Sequence, residues 1–134
     1  MASPLPTLAL RPEVIIAAGS KTLAATDAGN VQNCVPTTVG ATTTITLPAA
    51  AAGNVSMSFT VRAGSNNGDS PVTITPNGVD GVNGLGFTSA VGKGPQVLAA
   101  VQKSGDEITV TSSGVTGVNA WYISNVVGTW TRLP

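Results

Sequence analysis

The sequence predicts an all-β fold, a single β-sandwich, from three features. Short stretches alternate apolar and polar residues, Val and Thr dominate those stretches, and turn-forming clusters separate them at short, fairly regular intervals. β-Branched side chains suit a pleated, half-buried surface, while Gly, Asn, Asp and Pro supply the bends between strands. No segment carries a helical period. Ala49 to Ala52, the best helix former, sits between Pro48 and Gly53 and is long enough only for a loop or a single turn.

Residues 1–12 form a unit of their own, an extended arm, and residues 13–134 form the sandwich. Within Ser3 to Pro12 (SPLPTLALRP) three prolines impose extended geometry. Leu5, Leu8 and Leu10 are apolar and no acidic residue accompanies them, which is not the composition of a solvated tail. The arm is therefore expected to dock against its own domain, a sister subunit or another protein.

The clearest strand is Val55 to Val61, in which every second residue is apolar, so that Val55, Met57, Phe59 and Val61 share one face. Thr43 to Leu47 repeats the pattern, with Ile45 and Leu47 inward and Thr44 and Thr46 outward. Further strands are expected at 14–18, 22–25, 31–35, 72–75, 97–101, 108–111, 120–124 and 126–131. Turns fall at Ala28-Gly29-Asn30, Gly53-Asn54, Gly64 to Asp69, Pro76-Asn77-Gly78, Ser104-Gly105-Asp106 and Ser113-Gly114. Trp121 shares its strand face with Ile123, which places it in the core or at a subunit interface.

Composition narrows the function. The 134 residues suffice for one core. Hydrophobic residues make up 42% but aromatics only 4%, so small aliphatic side chains must fill the interior, and burial against further copies would add stability. Charged residues are 9%, against about a quarter in ordinary domains, and six basic and six acidic residues cancel. The cations are scattered, so no basic surface for phosphate backbones is expected. A chain this neutral is expected to have much of its surface covered by partners.

Chemistry is harder to find. The chain has no His and one Cys, Cys34, which excludes His-based triads, zinc clusters and an intramolecular disulfide. Cys34 reads as a small buried hydrophobe in a protein made in a reducing cytosol. Asp106-Glu107, the adjacent carboxylate pair, reads as a solvated hairpin tip, and Glu13, Asp27, Asp69 and Asp80 as ordinary turn residues. Gly78, Gly81, Gly84 and Gly86 imitate a phosphate loop, but Gly92, Gly94 and Pro95 preclude the helix such a loop requires. Asn66, Asn67 and Asp69 offer oxygen ligands without the acidic density of a calcium site. Asn54-Val55-Ser56 fits a glycosylation sequon only by chance. Residues 1–11 lack the basic start of a signal peptide, and no run approaches the ~20 apolar residues of a membrane helix. The expectation is a protein with no enzymatic activity, cofactor, metal, nucleic acid or membrane partner.

Two stretches carry a resemblance: Thr43-Thr44-Ile45-Thr46-Leu47-Pro48, four alanines and Gly53 ahead of the Val55–Val61 strand, and Pro71-Val72-Thr73-Ile74-Thr75-Pro76 followed by a Gly-rich loop, Trp121 and Gly128-Thr129-Trp130. Together they resemble the small β-sandwich proteins of tailed bacteriophages, notably capsid decoration (cement) proteins and related trimeric fibre domains. The resemblance spans roughly Lys21 to Thr131. It implies a jelly-roll-like sandwich, a homotrimer, and a place on the outer capsid surface of the virion, where the major capsid protein is the partner and the shell is clamped against internal pressure. On that reading Leu5, Leu8, Leu10 and Arg11 grip the capsid or a neighbouring trimer, and Trp121 and Trp130 are further contact candidates. The alternative is a tail-fibre or spike tip that binds host-surface glycan.

Overall fold

The structure is a computed structural model that describes residues 12–17, 19–38, 40–64, 70–84 and 86–134. The sequence carries the chain through eleven strands among the described residues: β1 (Glu13–Ile16), β2 (Ser20–Thr22), β3 (Val31–Cys34), β4 (Thr43–Thr46), β5 (Ser58–Ala63), β6 (Val72–Thr75), β7 (Val82–Asn83), β8 (Pro95–Val97), β9 (Asp106–Ser112), β10 (Trp121–Val127) and β11 (Thr131–Arg132). They make two sheets, ordered β1-β3-β5-β9-β10-β7 and β11-β8-β6-β4-β2. The sheets pack on one another through a core of Ile45, Leu47, Phe59, Val61, Ile74, Val97, Ile108, Val110, Trp121 and their neighbours. The expected all-β sandwich is what forms.

From β1 to β6 the chain changes sheet with every strand, and each strand pairs in parallel with the one two before it. Parallel neighbours need a long crossover. Here a strand of the opposite sheet supplies it in place of a helix, so the first half is a flattened coil of strands. The second half is mostly antiparallel, with β9 joined to β5 and β10, and β8 to β6 and β11, while the edge strand β7 lies parallel to β10. The jelly-roll arrangement does not describe this pairing, because a jelly roll is built from antiparallel Greek keys.

Stacking explains why the parallel register is stable. Thr44-Ile45-Thr46 lies directly on Thr73-Ile74-Thr75, which puts both isoleucines in the core, fully buried, and the four threonines on the outer face. Slipping the register by one residue would expose both isoleucines.

Several sequence expectations are corrected. β5 starts at Ser58, not Val55: Ser56 adopts φ 64° and turns the chain, so Val55 is exposed while Phe59 and Val61 stay inward. The strand expected at 97–101 is β8 ending at Val97, followed by a turn in which Val101 donates its N–H to Leu98 O. The strand expected at 120–124 runs on to Val127 as β10, with a register shift between Ile123 and Asn125, and the one expected at 126–131 does not form as such: 128–130 lie outside any strand and Thr131 begins β11. Asp106 and Glu107 begin β9 and are not a hairpin tip: Asp106 is buried and accepts the Lys103 N–H, and Glu107 pairs with Arg62. Strand β7, inside the glycine-rich stretch, was not expected at all. Arm residues 1–11 and the loop 65–69 considered for calcium lie outside the described residues.

Candidate interaction surface

The two lateral edges of the sandwich differ in character. At one edge lie β1 and β2, the first coil. Val31 donates to Pro12 O and Val35 to Ile16 O, so the even-numbered carbonyls of β1 face β3. The backbone groups of Glu13 and Ile15 consequently face away from the sheet, and no described strand pairs there. Ile15 is 58% exposed on this edge. Glu13 accepts from Arg62 at 3.3 Å and from Asn33.

Between the sheets the same edge is closed by polar groups. Lys21, pointing inward from β2, donates to Gln32 Oε1 at 2.9 Å and to Asp27 Oδ1 at 3.1 Å. Burial works to raise the Asp27 pKa, but the Ala24 N–H and the Lys21 ammonium outweigh it and hold the carboxyl below its ordinary value. The ammonium stem covers the open end of the core while its charge is matched.

At the opposite edge, where β7 and β11 end the sheets, an open cleft of about 550 Å³ is lined by Gly86, Phe87, Thr88, Trp130, Thr131 and Arg132. Phe87 packs against the core, and its N–H bonds Gly84 O at 3.0 Å. Trp130 is 7% exposed and donates its indole N–H to Val127 O. Arg132, an exposed residue, donates from one guanidinium nitrogen to Thr88 O at 3.1 Å, a bond between two residues that line the cleft.

One end of the sandwich is apolar and almost free of charge. Val55, Val79, Val91, Val115 and Val118 are 39–67% exposed on the loops that meet there. Asp80, 1% exposed, ties these loops together: its carboxylate accepts from Ala50 N at 2.8 Å and Gly117 N at 3.0 Å, and its carbonyl accepts from Gly92 N. Thr116 adds a bond to Ala50 O at 2.8 Å. The arrangement presents valines on a rigid frame, because the one carboxylate present points inward.

Of the residues singled out by sequence, Leu5, Leu8, Leu10 and Arg11 lie outside the described residues. Trp121 is 0% exposed and packs against Phe59 with ring centres 5.7 Å apart and planes tilted by 46°, so it is a core residue with no surface to offer a capsid or a sister subunit. Trp130 lines the cleft with 7% of its surface exposed. Sequence reasoning passed over Phe87 and Arg132, and read Asp80 as an ordinary turn residue. An aromatic isolated among glycines was the available signal for the cleft.

Cys34 is fully buried, and burial pushes its thiol up to about 12. The thiol is expected to resist a disulfide reagent at pH 8 in the folded protein and to react promptly in denaturant, which a thiol titration with and without urea checks. Among the described residues no group of three or more His, Cys, Asp or Glu could hold a metal ion, and no helix is long and apolar enough to cross a membrane. No known protein-family profile matches the chain, and no curated protein sequence matches it.

Proposed function

We propose that the chain is a structural virion protein that binds the outer surface of a phage capsid and stabilises the shell, working as a homotrimer. The observation that carries the reading is the exposed valine end, almost free of charge. A contiguous exposed apolar surface on a rigid frame marks a protein contact, and the inward-facing Asp80 keeps that surface neutral. Such an end suits seating on a protein shell, where desolvating a charge would cost binding energy. The sequence resemblance points the same way. The glycan-binding alternative loses Trp121, which is enclosed, and keeps Trp130 only by its 7% exposed surface beside Phe87 in the cleft.

The test is the copy number of the chain in purified particles. About one copy per major capsid subunit is the expected result, and absence from particles would refute the reading. In the same assay, removing residues 1–11 is expected to leave the β-sandwich folded, by circular dichroism, while abolishing capsid binding. Unchanged binding would remove the arm from the mechanism.

A further inference from the structure

We propose that copies of this chain associate head to tail, the β1/β2 edge of one copy seating against the Phe87–Arg132 cleft at the β7/β11 edge of the next. The proposal deepens the homotrimer in the functional reading above and rests on it for the number of copies in a ring.

Three observations converge. The first edge presents an exposed aliphatic side chain, Ile15, beside the outward backbone groups of Glu13 and Ile15, which no described strand pairs, a template for association. The second edge presents the complement, a cleft with Phe87 and Trp130 as walls, large enough to accept an isoleucine side chain. The charges also match. Glu13 stands beside Ile15, paired with Arg62 at 3.3 Å but with 43% of its side chain still exposed to a second cation, and Arg132 stands in the cleft with guanidinium donors left after its bond to Thr88 O. In a chain with so few charges, opposite signs on opposite edges specify orientation.

The two surfaces are different and lie on opposite edges, so the contact is heterologous. A heterologous contact closes into a ring when the rotation between copies permits, whereas a two-fold dimer would need one self-complementary patch. Carbohydrate fits the cleft less well, because sugar hydroxyls need acceptors and no described carboxylate lines it.

The experiment uses the full chain in solution, without capsids. Ile15→Cys and Thr88→Cys are made on separate chains, one carrying a size tag, and mixed under mild oxidation. Native Cys34 does not compete, being buried. The expected result is a mixed two-chain species that neither variant forms alone. Chains carrying both cysteines are expected to link into closed multi-chain species. Equal cross-linking of Ile15→Cys with itself, a link only within one chain, or no link at all would each overturn the proposal. Charge reversal supplies the second arm. Arg132→Glu is expected to reduce the mass by light scattering from several chains to one, and Glu13→Arg on the same chain to restore it; failure of that rescue in a folded double variant counts against the contact. A monomeric wild type that still decorates particles would refute this inference together with the homotrimer, and leave the capsid-binding reading standing. An oligomer absent from particles would do the reverse.

Discussion

Replacing Trp121 by alanine is expected to cost about 3–5 kcal/mol of stability, enough to bring a domain of this size close to unfolding. Trp121 is the largest fully buried side chain, it packs against Phe59, and it begins the strand that joins β9 to β7. Removing it leaves a void in a core that holds few other aromatics and whose aliphatic side chains are too short to reach across. Urea denaturation followed by circular dichroism measures the loss. Trp121→Phe separates volume from polarity, because the indole N–H has no hydrogen-bond partner among the described residues. Phenylalanine keeps a ring beside Phe59 and removes a buried unpaired donor, so its cost is expected to be well below that of alanine. Equal losses for the two substitutions would show that the indole nitrogen contributes something that packing does not account for.

Gly94→Ala is expected to be comparably damaging, about 3 kcal/mol or more, for a different reason. A Cβ at Gly94 would lie 1.9 Å from Ile74 O and 3.2 Å from Pro76 Cδ. The obstacle is a backbone carbonyl of β6, which cannot rotate aside as a side chain could. The Gly94 carbonyl also accepts the Leu133 N–H, so any shift propagates to β11 and the cleft. Gly53→Ala provides the control: nothing lies within 4 Å of its Cβ position, and the expected change is within about 0.5 kcal/mol. Thermal melts of the two variants side by side settle the contrast.

Much of the architecture could be read from the alternation of apolar and polar residues, because the period of two is set by the pleat itself. Ile45, Leu47, Phe59 and Val61 were placed inward on that basis, and they are fully buried. Alternation does not encode the partner of a strand. The parallel coil left one trace, the recurrence of Thr-Ile-Thr at 44–46 and 73–75, which stack in register. Val55 obeyed the alternation and still lies outside the strand, because a left-handed Ser56 is a local event that hydropathy does not record. The interaction surface was less legible. Phe87, Trp130 and Arg132 are separated along the chain and meet only because β7 and β11 end their sheets on the same side. Asp80 reads as a turn residue until the loops it ties together are seen around it.

The alternating-sheet coil also bears on how such a chain can change length over evolutionary time. In a coil each turn touches chiefly the turns before and after it, so gain or loss of a whole turn leaves the remaining registers intact. The three turns here already differ in the chain they spend between strands: β3 follows β1 closely, while β5 follows β3 only after the longer excursion through Pro48 and the alanines. Duplication of a turn would lengthen the body without disturbing the closing strands at the far edge. The same closure caps growth in that direction, so additions would accumulate on the other side, where no described strand flanks β1.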